Sequence, residues 1–191
     1  MKKLIVIALM ATAAWAGPPL ICHPVDIGQA RSLPWNVGDN WNGADPAYNL
    51  RSLIPDTLAI LVPSAPVPLR METLRRAAIY AARDEGASHE LTSRLLARIA
   101  DETAGKDIAP YAWFDAGYFV ETLRQATFIY RYDMLTAAEK QRWRLRQAGS
   151  ALDGKPWIEH AIQLGGKGMQ LALSRVEEYR TADRRQAAKT N

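Results

Sequence analysis

Cys22 and His23 stand side by side in a proline-flanked stretch, and together they form the sharpest pair of reactive side chains in the chain. A thiolate and an imidazole are both ligands for zinc, copper or iron, so Cys22 and His23 are the first candidates for a metal site. Adjacent residues in an extended segment point to opposite sides, so the pair cannot close a chelate alone. Further ligands would have to come from Asp26, His89 or His160, and the chain has only three histidines. Covalent haem attachment calls for two cysteines ahead of the histidine, and Pro19 occupies the position of the first. A thiol-dependent role is the other chemical reading of Cys22, through an intermolecular disulfide or redox sensing. The structural alternative is a small apolar side chain packed in the fold, as free cysteines commonly are. As the single cysteine, it cannot form an internal disulfide.

Trp35 and Trp41 lie in the Gly/Asn-rich stretch Pro34 to Gly43, where aromatic rings on a polar loop can stack on a carbohydrate. The same rings could instead staple an irregular segment to a core. The candidate binding residues are therefore Cys22, His23, Asp26, Trp35 and Trp41, with Cys22 and His23 as the candidate metal ligands and no cofactor specified. Gly165-Gly166-Lys167-Gly168 precedes a helical pattern but lacks a preceding strand and phosphate-loop spacing, which favours a tight turn. The pairs Asp84-Glu85, Asp101-Glu102 and Glu177-Glu178 project about 100° apart on a helix and read as solvated faces. No HExxH, GxSxG or paired-cysteine zinc signature occurs. The balance of these features leans away from an enzyme, although a triad assembled from distant positions leaves no local motif.

The elements that must position these residues begin after a leader. Lys2 and Lys3, the apolar run Leu4 to Ala11 and Ala14-Trp15-Ala16 have the parts of a secretory signal, with a cut expected after Ala16. The run is well short of the roughly 20 residues that span a hydrocarbon core, so no transmembrane span is expected in the mature chain. Export to the periplasm or medium follows as the expected localisation. Cys22 is preceded by Pro19-Leu20-Ile21, which argues against lipidation.

The full chain has 24 Lys and Arg against 20 Asp and Glu, a net charge of +4. Removing the leader removes two lysines and leaves +2. Residues 17–138 carry 11 basic and 14 acidic side chains, whereas residues 139–191 carry 11 basic and 6 acidic. The excess is modest and has no aromatic interleaving, so nucleic acid is not an expected partner.

Nine of the 11 prolines lie between Pro18 and Pro68, and each removes a backbone donor and fixes φ. Residues 17–69 should therefore form a largely irregular arm, with a short helix near 48–62 carrying Leu50, Leu53, Leu58 and Leu61 and interrupted or restarted at Pro55. From residue 70 to 181 the apolar spacing is that of helices. Met71, Leu74, Ala78 and Ala82 mark the first, with Arg75, Arg76 and Arg83 mostly off its apolar stripe. Ser88 to Gly105 marks the second, and Ala109 to Tyr132 the third, whose apolar residues on several sides predict a central position. Thr136-Ala137-Ala138-Glu139 is a capping box that opens a fourth helix through Trp143 and Leu145, closed by Gly154. A fifth runs from Pro156 to Gly165, and a sixth from Gly168 to about Arg180. Residues 182–191 read as a disordered tail. No long alternation of apolar and polar residues suggests a strand. The expected fold class is all-α: an irregular antiparallel helical bundle or a short helical-hairpin array with a Pro-rich N-terminal arm.

Ala112-Trp113-Phe114-Asp115-Ala116-Gly117-Tyr118-Phe119-Val120 resembles the first helix of a tetratricopeptide repeat, in which a small residue lets the partner helix approach closely. The resemblance implies such a contact at Gly117. It covers one helix: Ile129 and Asp133 replace the alanine and aromatic of the repeat's second half, and the helix starts are unevenly spaced. The segment Cys22 to Gly28, with Ser32-Leu33-Pro34-Trp35 following, is similar to the openings of exported bacterial proteins and implies no activity. The function expected on these grounds is an exported interaction or scaffold module of the cell envelope with a protein partner. The alternatives are a metal-, haem- or thiol-dependent protein using Cys22-His23 and a carbohydrate binder using Trp35 and Trp41.

Overall fold

The computed structural model describes residues 20–36, 41–104, 110–132 and 152–189. Among them the chain is all-α, with six α-helices and no strand. The expected leader, residues 1–16, and the expected fourth helix with its capping box lie outside the described residues. A 3-10 turn at Leu50–Ser52 leads into α1 (Leu53–Ile60), followed by α2 (Val67–Ala81), α3 (Glu85–Ala104), α4 (Pro110–Tyr132), α5 (Lys155–Gln163) and α6 (Gln170–Lys189). Among the described residues, no helix is long and apolar enough to cross a membrane.

Prolines take the places in which their missing N–H costs nothing. Pro55 sits in the first turn of α1 behind the 3-10 turn, Pro68 near the start of α2, Pro110 at the first position of α4 and Pro156 near that of α5. The start of α3 comes earlier than its apolar pattern suggests. Asp84 accepts the Ala87 N–H at 2.8 Å as the cap, while the Ser88 hydroxyl donates to the Ala81 carbonyl at 2.6 Å. At the other end of the chain, α6 continues to Lys189, past the expected tail boundary at residue 182. Polar composition there does not prevent a helix rich in Ala, Arg, Gln and Lys, all good helix formers.

The core is built around α4, which packs on α2, α3 and α5. Phe114, Ala116, Tyr118, Phe119 and Ala126 are fully buried, and the parallel Phe114 and Tyr118 rings lie 5.8 Å apart. Apolar residues around α4 did predict this central position. Gly117 is the point of closest approach to α5: a Cβ built there would lie 2.6 Å from the Gly154 carbonyl oxygen and 2.9 Å from Ile158 Cγ1. The small-residue contact that the resemblance implied is thus present. Gly117→Ala should lower stability by about 1–3 kcal/mol through overpacking, despite the better helix propensity of alanine. Chemical denaturation of the variant checks this, and a stabilised protein would contradict the contact.

The second buried helix is α2, where the sequence pattern misleads. Twelve of its 15 residues are buried, including Arg70, Glu72, Thr73 and Arg75. It is not a surface helix with one apolar stripe; it is enclosed by the arm on one side and by α4 on another. Its polar side chains face chain segments that need hydrogen-bond partners.

Candidate functional site

An irregular arm laid on helices leaves its own N–H and C=O groups without a ladder, and buried groups of this kind must be paired. In this chain the helices supply side-chain partners. Leu20 and Ile21, both fully buried, donate their N–H groups to Gln125 Oε1 of α4 at 2.8 and 2.9 Å. The Val25 N–H goes to Glu72 Oε2 at 3.0 Å. Arg75 Nη1 donates to the Ile21 carbonyl and Arg76 Nη1 to the Leu33 carbonyl, each at 2.7 Å. Arg175 of α6 reaches the His23 carbonyl at 2.8 Å. The Tyr80 hydroxyl donates to the Pro34 carbonyl at 2.6 Å and accepts from the Asp45 N–H at 2.9 Å.

Three buried carboxylates organise the arginines. Glu72 takes a two-point fork from Arg75, with Nε and Nη2 each at 2.7 Å, and a third bond from Arg76 Nε at 2.7 Å. Burial by itself would raise the Glu72 pKa, but Arg75, the Val25 N–H and Arg76 outweigh it and hold the carboxyl below its usual range. Asp115, fully buried in α4, lies 2.6 Å from the equally buried Arg70 and 3.3 Å from Arg98. Those two arginines also hold the carbonyls of Leu61, Val62 and Ala65, which fixes the turn between α1 and α2. Glu121 meets Arg180 at 2.9 Å and accepts the Gly154 N–H at 2.9 Å, tying α4 to the start of α5 and to α6.

The residues singled out for chemistry are part of this clamp or sit outside it. Cys22 is half-buried, and desolvation pushes its thiol up against the opposing pull of Arg75, which disfavours the thiolate needed for metal or redox work. His23 is half-buried and is anchored through its backbone carbonyl. Asp26 is exposed and accepts the Gly28 N–H at 2.9 Å, closing a local turn in which Gly28 has φ 56°. His89 is exposed on α3, while His160 packs edge-on against Trp113 with centroids 4.6 Å apart. Among the described residues, no group of three or more His, Cys, Asp or Glu is placed to hold a metal ion. Trp35 is half-buried, with its ring edge-on to Tyr80 at 6.0 Å and facing the guanidinium carbons of Arg75 and Arg76 at 4.9 and 5.5 Å. An isolated bridge joins Trp35 to Ala44, and Gly43 leaves room for its indole. Trp41 is also half-buried against the core. Both rings pack against the core rather than standing free on the loop.

Among the described residues, two concave surfaces lie beside these elements. One, of about 610 Å³, lies between α1 and the start of α3, where Leu50, Ile54, Pro55, Leu58 and Ala87 meet charged residues including Arg51, Glu90 and Arg94. The other, of about 510 Å³, lies among α4, α5 and α6 and is lined by Arg124, Lys155, Glu177, Arg180, Thr181 and Arg184. The spacing of Leu50, Ile54 and Leu58 was visible in the sequence. Nothing there separated it from the inward stripe of Leu53, Thr57 and Leu61.

No family model matches the chain, and no match was found among curated proteins or solved structures.

Proposed function

We propose that the mature chain is an exported helical interaction module of the cell envelope, holding an apolar segment of a partner protein in the groove between α1 and α3. The observation that carries this reading is the double-sided character of α1. Its inward stripe, Leu53, Thr57 and Leu61, is fully buried and anchors the helix. Leu50, Ile54 and Leu58 form a neighbouring stripe at i, i+4 and i+8 that packs against the core on one side and lines the groove on the other, where it stays partly exposed. A short helix does not need two apolar faces to stay docked. A second one bordered by charge is the usual form of a helix-in-groove contact, with the apolar floor supplying affinity and the rim orientation. Arg51, Glu90 and Arg94 provide that rim, with Glu90 and Arg94 only loosely paired at 3.8 Å. The leader-like residues Met1 to Ala16 support the envelope location.

A photoreactive side chain at Leu58 in living cells is expected to capture one discrete partner, and an added Ile54→Asp change should abolish capture. The same probe at the exposed Ser174 of α6 should not give that adduct. Equal labelling from both positions would contradict the groove. The exported form should begin at Gly17, and recovery of an uncut chain from the cytosol would contradict the location.

A further inference from the structure

Three helices direct cations to the cleft of about 510 Å³ among α4, α5 and α6. Glu177, Arg180, Thr181 and Arg184 recur at i, i+3, i+4 and i+7 and form one face of α6, opposite Arg124 of α4 and Lys155 in the first turn of α5. The four cations are held differently. Arg180 is committed: its guanidinium grips Glu121 through Nε at 3.1 Å and Nη2 at 2.9 Å, and it also binds Asp153. Its single charge is shared between the two carboxylates, and it forms a fixed wall. Arg124 donates one nitrogen to the Leu152 carbonyl and lies 3.6 Å from Glu121, and among the described residues its remaining donors have no further partner. Arg184 donates only its Nε, to the Arg180 carbonyl at 3.3 Å, and forms no ion pair among the described residues. Lys155 bridges Glu159 at 2.6 Å and the exposed Glu177 at 3.4 Å, so the carboxylate that borders the cleft is only partly countered.

We propose that this cleft is an oxyanion site for a phosphate group. Arg124 and Arg184 present guanidinium forks, which match two phosphate oxygens at once, and Thr181 adds a hydroxyl donor. Lys155 lies at the edge of the cleft and stays shared between Glu159 and Glu177. The same phosphate chemistry is offered by a free phosphate or phosphomonoester and by the headgroup of an anionic lipid.

The test uses the purified mature chain at low ionic strength. Inorganic phosphate is titrated by calorimetry, and flotation is measured with phosphatidylcholine vesicles with and without phosphatidic acid. Arg184→Gln should weaken binding about tenfold or more, because a charge-assisted fork is lost. Arg185→Gln removes the same charge from an exposed residue outside the cleft and should leave binding nearly unchanged. Glu177→Gln should strengthen binding. Both arginines are exposed, and unchanged thermal melting confirms that the fold survives. Saturable phosphate binding with this variant pattern supports a site for soluble ligands. The same pattern seen only with phosphatidic acid vesicles assigns the phosphate to a lipid headgroup. No binding to either probe, or equal losses from Arg184→Gln and Arg185→Gln, would overturn the proposal.

Discussion

Glu72→Ala is expected to destabilise the protein by about 3–5 kcal/mol and to release the arm, the range typical of breaking a buried ion pair from one side. The change removes the acceptor shared by Arg75, Arg76 and the Val25 N–H, and it leaves the fully buried Arg75 without a counter-charge. Arg75 would still touch the Ile21 carbonyl, but one neutral acceptor does not replace a carboxylate fork. Urea denaturation measures the loss, and limited proteolysis should cut between residues 20 and 36 well before the helices. The acid response follows from the same group. Glu72 is held below its ordinary value in the folded chain, so near pH 4 the unfolded chain binds more protons than the folded one. Its stabilising contribution is complete above about pH 4.3, the ordinary value for a glutamate, and falls as the pH drops through the lower folded value. The stability gap between the parent and Glu72→Gln should therefore narrow on acidification from pH 7 to about 3. A gap that is constant or widens would contradict this assignment.

Asp115→Ala carries the second large expected loss, again about 3–5 kcal/mol. Arg70 is fully buried, with its ring-facing side 4.1 Å from the Tyr111 centroid, and cannot turn to solvent when its carboxylate is removed. The carbonyls of Leu61, Val62 and Ala65 would then depend on two arginines that repel each other. Loosening should therefore spread to the turn between α1 and α2 and change the groove nearby. Replacing both partners, as Arg70→Met with Asp115→Leu, should recover part of the loss, because the orphaned charge is gone although the Val62 and Ala65 carbonyls lose their donor. A double-mutant cycle by equilibrium unfolding measures the coupling. A single variant within about 0.5 kcal/mol of the parent would rule out this role, since changes of that size are typical of unconstrained surface positions.

The apolar pattern made the all-α class legible, along with the near-complete bounds of α4, while the close contact at Gly117 was implied by the resemblance of that helix to a tetratricopeptide helix. Proline spacing likewise pointed to an irregular N-terminal segment. The burial of α2 was hidden because Arg70, Glu72, Arg75 and Arg76 look like a solvated face when only their own helix is considered. The environment of Glu72, Arg75 and Arg76 is set by the Val25 amide and the Ile21 and Leu33 carbonyls, 43 to 54 positions away. Local periodicity carries no record of that pairing. One cue was available: a proline-rich arm with little secondary structure must find hydrogen-bond partners elsewhere, and Glu72 stands three and four residues before Arg75 and Arg76. The reactive side chains of Cys22 and His23 drew attention to the right segment. There the backbone at Leu20, Ile21 and His23 makes bonds that fix the arm. The groove was only half legible, since Leu50, Leu53, Leu58 and Leu61 read as one apolar set and the fold divides them between core and surface.

Amide hydrogen exchange on the mature protein tests the central claim most directly, because it asks whether the arm belongs to the core. The N–H groups of Leu20, Ile21 and Val25 should be protected to nearly the same degree as the middle of α2 and α4, and Glu72→Gln should selectively speed their exchange. Exchange at those three amides as fast as in an exposed loop, in a protein whose helices stay protected, would show that the side-chain clamp does not hold the arm.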